Sequence, residues 1–447
     1  MPIGCPPRRT VTSVLDPRVL RDADDVAAHL AATCFAPTDD LPVRGAVGLE
    51  AEMFVLHTRD RRRSDLEELV AAVGAADGVV AQGGSERPRW LSADGQVTEE
   101  PGGQLELITD PEPTLASALD RLDGLATAIE PCLDAAGLAL AGAGLDPFHP
   151  AEGLGVQLDL PRYRAMGTYF GRRGTNGQAL MCASASLQIN LDLGPPAMAV
   201  DRWLVANLAA PLVVATFANS PTSEAVNGRA LAWARLDPTR TGVPALIAPG
   251  VDDPVAHLLW DVMRADVMLV SRGTEMSPGR PGWTFGDWVR DGHPEHGRPT
   301  TADVDMHLST LFPEVRLRGF LEVRGVDQLP RRWRAAPAVL LTGLLYDPAT
   351  TTAARALLED VRRDLPRLQG RAVRRGLTDP LVWDLAGPLW ELAMDGARRL
   401  GEDWVGARWM DTADAFLDRF TRRRRHPADE QRDLRRRSPA EALEWSR

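Results

Sequence analysis

The chain has 447 residues, a formal net charge of −11 at pH 7 and an isoelectric point near 5.3. This length suits one large domain or two to three smaller ones, and the acidic balance argues against a general nucleic-acid binder. The basic side chains other than histidine are 51 arginines, with no lysine. Without lysine there is no Schiff base and no phosphate-binding lysine of the P-loop or kinase type. Any bound nucleotide must be held by arginines, backbone amides and metal ions.

The cysteines and the apolar segments predict a cytoplasmic protein. No CxxC pair is present, and the N-terminal residues carry charge without the apolar stretch of a secretory signal. The longest apolar run, Trp203 to Ala218, contains Asn207 and Pro211, so we expect a buried helix instead of a membrane span. The cysteines are Cys5, Cys34, Cys132 and Cys182.

The first part of the chain alternates predicted helices and strands. A hairpin at 95–109 has the strongest signal, because two alternating runs flank Pro101-Gly102-Gly103. Thr114 is in place to cap a long helix that ends near residue 136. The other predicted elements are an amphipathic helix at 14–34, a strand at 43–56, a helix at 64–76 and a strand at 138–145.

The second part contains one long alternating strand and then mostly helices. Residues 179–193 alternate apolar and polar side chains, which predicts a half-buried strand with a polar face. Helices are predicted at 197–218 and 253–271, a Gly- and Arg-bearing loop at 227–243, a long loop or lid at 277–299, and strand at 314–325. We expect three regions: an N-terminal helical segment (1–42), a sheet core with inserted helices (43–330), and C-terminal helices packed on that core (331–447).

Glutamates fall at alternating positions on the predicted strands. Glu50 and Glu52 are two residues apart, so both point to one face of a strand, and Glu100 and Glu106 flank the hairpin turn. Glu322 lies on the later strand. Carboxylates gathered in this way repel one another unless a hard cation such as Mg²⁺ neutralises them. The alternative is a surface sheet with scattered glutamates.

Arginines supply the opposite charge. Arg229, Arg235 and Arg240 lie in the 227–243 segment, and Arg316 and Arg324 flank Glu322. Guanidinium groups bind carboxylate and phosphate and stabilise charge on a transferring phosphoryl group. Metal ions with arginines indicate phosphoryl transfer or an ATP-dependent ligase. The alternative is that about half of these arginines pair with surface acids.

Three other features favour structural interpretations. His293 and His296 are read as surface histidines, Cys182 as a buried thiol, and the basic run 422–426 as a solvated helix face.

Six motifs follow one another along the chain. They are Gly48-Leu-Glu50-Ala-Glu52, Glu100-Pro-Gly-Gly-Gln-Leu-Glu106, Met181 through Ser186-Leu-Gln188-Ile-Asn190-Leu-Asp192, Ala218-Asn219-Ser220-Pro221, the Arg229 to Gly242 segment, and Phe312-Pro313 through Glu322-Val-Arg324-Gly-Val-Asp327. In this order they resemble the glutamate-cysteine ligase family, in the branch shared by plants and many bacteria. The resemblance covers roughly residues 44 to 330, and the lysine-free composition is similar to that of actinobacterial members that make γ-glutamylcysteine for ergothioneine.

The resemblance implies an α+β fold with a curved, mainly antiparallel sheet flanked by helices, like the catalytic domains of glutamine synthetase and guanido kinases. It implies that ATP phosphorylates the γ-carboxylate of glutamate and that the amine of cysteine then displaces phosphate, giving γ-glutamylcysteine. The expected partners are therefore glutamate, cysteine and ATP, with two or three Mg²⁺ ions and with neither nucleic acid nor membrane.

The resemblance also implies roles for individual residues. Arg229 would hold the carboxylate of glutamate and Arg324 would stabilise the transferring phosphate, so both are catalytic candidates. Gln188 stands where some distant members have a metal-binding histidine. The expected metal ligands are Glu50, Glu52, Glu100, Glu106 and Glu322, with Glu99 replacing Glu100 if the hairpin register differs by one. The expected substrate-binding residues are Arg229, Trp233, Arg235, Arg240, Gln104, Gln188, Asn190 and Arg316.

Two other functions remain open from the sequence. One is a carboxylate-amine ligase of the same fold with another amine acceptor, because the cysteine pocket has no readable signature. The other is a noncatalytic sensor that binds nucleotide or amino acid in the same concavity.

Overall fold

A computed structural model describes residues 17–82, 88–241 and 252–447. Its centre is a nine-stranded sheet in which every pair of neighbouring strands is antiparallel. The strand order is β10-β11-β7-β1-β5-β4-β3-β2, with β6 also paired to β1, and β8 and β9 form a separate hairpin. The strands are β1 Val47–His57, β2 Val80–Gln82, β3 Arg89–Ser92, β4 Gly95–Glu99, β5 Leu105–Ile108, β6 Leu138–Ala141, β7 Ser186–Asp192, β8 Leu269–Arg272, β9 Glu275–Pro278, β10 Val315–Leu317 and β11 Phe320–Asp327.

Helices cover the apolar face of the sheet. The helices α3 and α6 contact it directly, and α12 packs on both of them. The helices are α1 Ala23–Thr33, α2 Leu66–Gly74, α3 Leu115–Ala135, α4 Pro161–Gly171, α5 Asn176–Cys182, α6 Pro196–Thr216, α7 Gly228–Ala234, α8 Pro238–Thr241, α9 Pro254–Arg264, α10 Phe285–Asp291, α11 Thr301–Leu308, α12 Ala335–Tyr346, α13 Pro348–Leu358, α14 Leu365–Arg375, α15 Pro380–Leu400, α16 Glu402–Val405, α17 Ala407–Arg419, α18 Pro427–Arg437 and α19 Pro439–Ser446. The predicted α+β fold class is confirmed.

The register of the central strands places the polar positions side by side. Glu50 of β1 is opposite Gln188 of β7, and Glu52 is opposite Glu106 of β5. On the other side of β7, Asn190 is opposite Glu322 of β11. Because alternate residues point to opposite faces, the intervening Leu and Val side chains form the buried face. One face of the sheet is therefore polar and the other belongs to the core.

Several predicted elements are confirmed by the structure. The hairpin is β4 and β5, and the Thr114 hydroxyl accepts a hydrogen bond from the Ser117 amide at the start of α3. All but the last two residues of the apolar run at 203–218 lie in α6, which is long and apolar enough to span a membrane. Its most apolar window, however, is 78% buried inside the protein. It is therefore a core helix, as expected. The chain after residue 330 is helical.

Other element predictions were wrong in part. The first helix begins at Ala23, after a cap by Asp22, although 14–34 was predicted, and residues 14–16 lie outside the described residues. The alternation at 179–193 becomes strand only from Ser186, since the preceding residues form α5. The predicted loop at 227–241 forms α7 and α8, because Asn227 caps α7. Its last two predicted residues, 242 and 243, lie outside the described residues.

The predicted helix at 253–271 and the predicted lid at 277–299 were also wrong in part. The helix ends at Arg264, and β8 begins at Leu269. The segment 277–299 contains the end of β9 and all of α10, with Phe285 and Trp288 buried in the core. These aromatic side chains anchor the segment. One contiguous hydrophobic core contains residues from all three predicted regions. Because the regions share this core, it does not mark a boundary between them, and the boundaries at 42 and 330 stay predictions.

Candidate active site

The polar face of the sheet is the floor of a cavity of about 300 Å³. Its walls come from α4, α5, α7 and the segment before β10. The predicted residues that line it are Glu50, Glu52, Glu100, Gln104, Glu106, Gln188, Arg229, Trp233, Arg316, Glu322 and Arg324.

Residues of β7 fix the two glutamates of β1 in position. The Asn190 side-chain amide donates to Glu50 Oε1 at 2.8 Å, and the Gln188 amide donates to Glu52 Oε1 at 2.9 Å. The backbone amide of Ser186 donates to the other oxygen of Glu52 at 2.7 Å. Each carboxylate therefore has a defined orientation before any ligand binds.

The hairpin turn adds two more carboxylates. The Gly103 amide donates to the Glu100 carbonyl at 2.9 Å, and the Glu100 amide donates to the Gln104 carbonyl at 2.8 Å, which closes the turn. Gly102 is required by close packing, because a Cβ there would lie 2.4 Å from the Cys182 Cα. The Thr98 hydroxyl donates to Glu106 Oε2 at 2.8 Å.

The electrostatics of this acidic cluster fit a bound cation. Burial, and then the charges of Glu100, Glu50 and Glu52, raise the pKa of Glu106 well above its ordinary value. Burial and the charge of Glu322 likewise raise the pKa of Glu50. Mutual repulsion of carboxylates in a low-dielectric site is relieved by a divalent ion with oxygen ligands, and the donor set here consists of oxygens. The residues present therefore fit Mg²⁺.

Glu322 is in a different electrostatic environment. Arg316 donates to both of its oxygens, at 2.6 and 3.0 Å, while Arg318 and Arg324 add contacts of 3.2 and 3.0 Å. Burial alone would raise the pKa of Glu322, but these arginines outweigh it and hold the pKa below its ordinary value. In this structure Glu322 orients the arginines. Its assignment as a metal ligand stays a prediction.

The two predicted catalytic arginines are held together. Arg229 donates from Nε to Asp327 at 2.7 Å and from Nη2 to the Arg324 carbonyl at 3.0 Å, and its guanidinium lies 5.0 Å from the centre of the Trp233 ring. Arg324 donates to Gln188 Oε1 at 2.5 Å. Gln188 thus connects the arginine side of the cavity to the carboxylate side.

Comparison with known proteins supplies a family for this arrangement. Residues 46–444 match the family model of glutamate-cysteine ligase family 2. The chain belongs to glutamate-cysteine ligase family 2. It is 33% identical over 434 residues to the glutamate–cysteine ligase EgtA of Mycolicibacterium smegmatis, covering 95% of this chain and 94% of that protein. The family and ligase class inferred from the sequence are confirmed.

A plant relative and a solved structure extend the comparison, the first by sequence and the second by fold alone. The chain is 29% identical over 323 residues to the chloroplastic glutamate–cysteine ligase of Arabidopsis thaliana, covering 69% of this chain and 61% of the plant protein. The fold is similar to a glutamate–cysteine ligase from Francisella tularensis solved in complex with AMP, with a TM-score of 0.50, 12% identity, and coverage of 91% of this chain and 88% of that chain.

The structure places two predicted substrate-binding arginines outside the glutamate-cysteine ligase cavity. Arg235 is exposed and pairs with Glu224 through contacts of 3.1 and 2.6 Å. Arg240 is buried, where it donates to Asp237 at 2.8 Å and to the Thr310 carbonyl at 2.7 Å. Both guanidinium groups therefore serve structural ion pairs, and the structure does not support their predicted role.

The alternative ligand Glu99 is also excluded by its orientation. Glu99 lies on the core face of β4 with Val97, opposite the face that carries Thr98. Its oxygens are buried without a hydrogen-bond partner among the described residues, and burial raises its pKa to about 8. The hairpin register therefore points Glu100, and not Glu99, into the cavity.

Sequence reasoning missed the residues of the cavity walls. The wall formed by α4 gave no recognisable motif, because its amphipathic spacing is typical of any packed helix. Ser186 and Arg318 belong to alternating polar stretches of the sequence, but no role was predicted for them. The lining residues for which the sequence predicted no role are Arg162, Tyr163, Met166, Leu180, Met181, Ser184, Ser186, Ser309, Phe312 and Arg318.

The structure adds detail to the histidine pair and to Cys182. The donor atoms of His293, Glu295 and His296 lie within 4.8 Å of one another, but the two imidazole rings are stacked, with centroids 4.5 Å apart. Stacked rings direct their in-plane lone pairs side by side and do not aim them at one ion. Cys182 is buried as expected, and burial raises its pKa to about 11.

Proposed function

We propose that the chain catalyses ATP-dependent ligation of the γ-carboxylate of L-glutamate to the amine of L-cysteine through a γ-glutamyl phosphate. The observation that carries the proposal is one cavity in which Glu50, Glu52, Glu100 and Glu106 face Arg229 and Arg324. Such an arrangement suits a reaction that brings several anions together and builds charge on a phosphoryl group. The resemblance to the glutamate–cysteine ligase EgtA supports γ-glutamylcysteine as the product. We propose that this product serves ergothioneine formation and that the protein acts in the cytoplasm.

The acidic half of the cavity would hold two or three Mg²⁺ ions. Glu50, Glu52, Glu100 and Glu106 would be the ligands, with Glu322 joining them if its arginines release it. Bound Mg²⁺ would neutralise phosphate charge and orient the γ-phosphate of ATP. Asn190 and Gln188 keep the β1 carboxylates in place, so the ligand set does not need to reorganise on binding.

The arginine half of the cavity would bind the carboxylate of glutamate and the phosphoryl group in transfer. Arg229 is anchored by Asp327 and would hold the carboxylate of glutamate with the rest of its guanidinium fork. Arg324 is held by Gln188 and Glu322 and would stabilise the phosphoryl group in transfer. The chain needs no covalent nucleophile, because the cysteine amine attacks the acyl phosphate directly. The apolar wall, which includes Met166 and Phe312, would keep water from that intermediate.

The test is release of ADP from ATP by the purified protein with Mg²⁺, glutamate and a panel of amines that includes cysteine, with mass spectrometry of the products. We expect ADP only when glutamate and cysteine are both present, together with γ-glutamylcysteine. ADP formed with a different amine would establish the same chemistry with another acceptor. ATP binding without any ADP would support the noncatalytic sensor and overturn the proposal.

A further inference from the structure

A second cavity lies on the surface, away from the polar face of the sheet. Its volume is about 790 Å³, which is in the range of small-molecule sites. The loop 221–226 lines one side, α14 contributes Arg374, and α18 contributes Arg432, Arg435 and Arg436. The three arginines of α18 are spaced three and four residues apart and so share one side of the helix. We call this cavity the basic cleft.

The arginines of the basic cleft have few partners. Arg374, Arg435 and Arg436 have no carboxylate within ion-pair distance in the ranges 17–82, 88–241 and 252–447, and Arg432 has only a 3.5 Å contact with Asp429. The next arginine of α18 differs, since Arg437 pairs with a glutamate at 3.0 Å. Guanidinium groups gathered without acids repel one another until an anion joins them.

The acidic groups at the basic cleft do not cancel its charge. Glu224 is the one carboxylate among its lining residues, and Arg235 already binds both of its oxygens. Arg374 and the arginines at the end of α18 lie in the last turns of their helices, where the carbonyl ends carry about half a negative charge each. Against the four arginines stand Glu224, which Arg235 already pairs, Asp429 at Arg432 and the more distant Asp146 near Arg435, so the positive charge is reduced but not cancelled. The partial negative charges of the two helix ends explain why arginines are favoured at these positions, but they do not neutralise the arginines.

The loop side of the basic cleft offers hydrogen-bond donors. Ser223 is exposed there, and its amide and hydroxyl make no hydrogen bond to any residue in the described part of the chain. The loop then passes directly into α7, where the Gly228 amide donates to the Ser220 carbonyl at 2.7 Å and the Arg229 amide to the Ser220 hydroxyl at 3.1 Å. An anion in the basic cleft would thus contact the loop that precedes Arg229.

We infer that the basic cleft is a binding site for a small anion that carries a phosphate group, separate from the ligase cavity. Planar guanidinium forks from two helices match phosphate oxygens, and the serine adds neutral donors. The inference does not depend on the identity of the ligase substrates.

The test is isothermal titration calorimetry on the full chain at low salt with EDTA, using inorganic phosphate, pyrophosphate and AMP as separate probes. We expect saturable binding of at least one probe. The double variant Arg374→Ala/Arg435→Ala should raise its Kd at least about tenfold, because two charge-assisted contacts are lost. Tighter binding of AMP than of phosphate would identify a nucleotide as the source of the phosphate group, and equal binding would identify free phosphate.

A charge-matched control separates a site from a general charge effect. Arg408→Ala/Arg437→Ala removes two exposed arginines outside the basic cleft, each paired with a carboxylate, and should leave the Kd within about twofold. Thermal unfolding of both double variants would check that they fold. Absence of saturable binding, or equal weakening in the two double variants, would overturn the inference.

Discussion

Individual charged residues divide the cavity into an acidic half and a basic half, and Gln188 joins them. Its amide nitrogen donates to Glu52 and its carbonyl accepts from Arg324. The sequence raised the question of how an amide could replace a histidine as metal ligand. In the structure the Gln188 side chain positions Glu52 and Arg324, because its amide nitrogen and its carbonyl oxygen each hydrogen-bond one of them.

Glu52→Gln should lower turnover by at least about 100-fold while the protein stays folded, because the change removes charge and keeps the size of the side chain. The new NH2 group also faces one of the two donors to Glu52, so one hydrogen bond from Ser186 or Gln188 is lost. The measurement is ADP release under saturating ATP, glutamate and cysteine, with circular dichroism to check folding. The exposed Glu67→Gln is the matched control and should behave like wild type. Normal turnover in Glu52→Gln would count against the metal assignment.

Arg229→Lys should raise the KM for glutamate by about tenfold or more, because lysine cannot bond Asp327 and the substrate carboxylate with one planar fork. Initial rates at varied glutamate concentration measure this. Arg235→Lys is the control, and its KM should not change because Arg235 pairs with Glu224 outside the cavity. A larger effect at Arg235 than at Arg229 would reverse the assignment of the two residues.

At the scale of elements, sequence patterning predicted what depends on local signals. The hairpin was found from its Pro-Gly-Gly turn and α3 from Thr114, since turns and caps are encoded within a few residues. The helix α7 was predicted as loop because glycine and arginines obscured its short apolar face, while the Asn227 cap was overlooked. Arg235 lies outside the cavity because of where α7 ends. The spacing of the arginines in the sequence could not predict this position.

Gly102→Ala should reduce both stability and turnover, because the new Cβ would collide with the backbone of Cys182 and shift the turn that carries Glu100. We expect a loss of about 1 to 3 kcal/mol in the free energy of unfolding. Urea unfolding and ADP release measure the two effects. Gly153→Ala has open space around its Cβ and serves as the control, with both quantities near wild type. Equal effects in the two variants would contradict the packing argument.

The helix α11 makes stability depend on pH through His307. Burial and the charge of Arg240 lower the pKa of His307 to about 3, although the Val262 carbonyl contacts its Nε2 at 3.1 Å. Between pH 6.5 and 3 the unfolded chain binds a proton that the folded protein does not, so stability falls as pH falls. The limiting slope is about 1.4 kcal/mol per pH unit.

The test is urea unfolding of wild type and His307→Gln at pH 7 and pH 5. The variant loses the stacking of His307 on Phe285 at both pH values, but its stability should fall less than that of wild type on going to pH 5. Equal losses in the two proteins would show that His307 does not titrate as described.

For the whole molecule, the sequence predicted the family, most of the cavity floor and C-terminal helices packed on the sheet core, but not which helices pack on one another. The alternation of polar and apolar residues within single strands identified the glutamates, and the order of the motifs along the chain indicated that these glutamates belong to one site. The packing of α12 on α3, some 200 residues earlier in the chain, and on α6, some 130 residues earlier, follows from tertiary contacts that no local pattern contains. The same holds for the cavity walls.

The C-terminal helices should be required for folding. Removal of residues 331–447 would expose the apolar sides of α3 and α6, which α12 covers. We expect the fragment 1–330 to be insoluble, or to show no cooperative unfolding by circular dichroism during heating. A soluble fragment with a sharp transition would instead support an independent domain ending near residue 330.

The packing of α19 has a consequence for how the chain is made. The Ser446 carbonyl accepts from the Gly142 amide beside β6, and Leu443 packs with Phe54 of β1. Part of β1 therefore waits for residues made nearly 400 positions later, and β6 for residues made about 300 positions later, which at roughly 5 to 20 residues per second takes about 15 to 80 s. During synthesis on the ribosome, we expect this side of β1 and β6 to stay uncovered for that time, so that its apolar surface needs protection from aggregation.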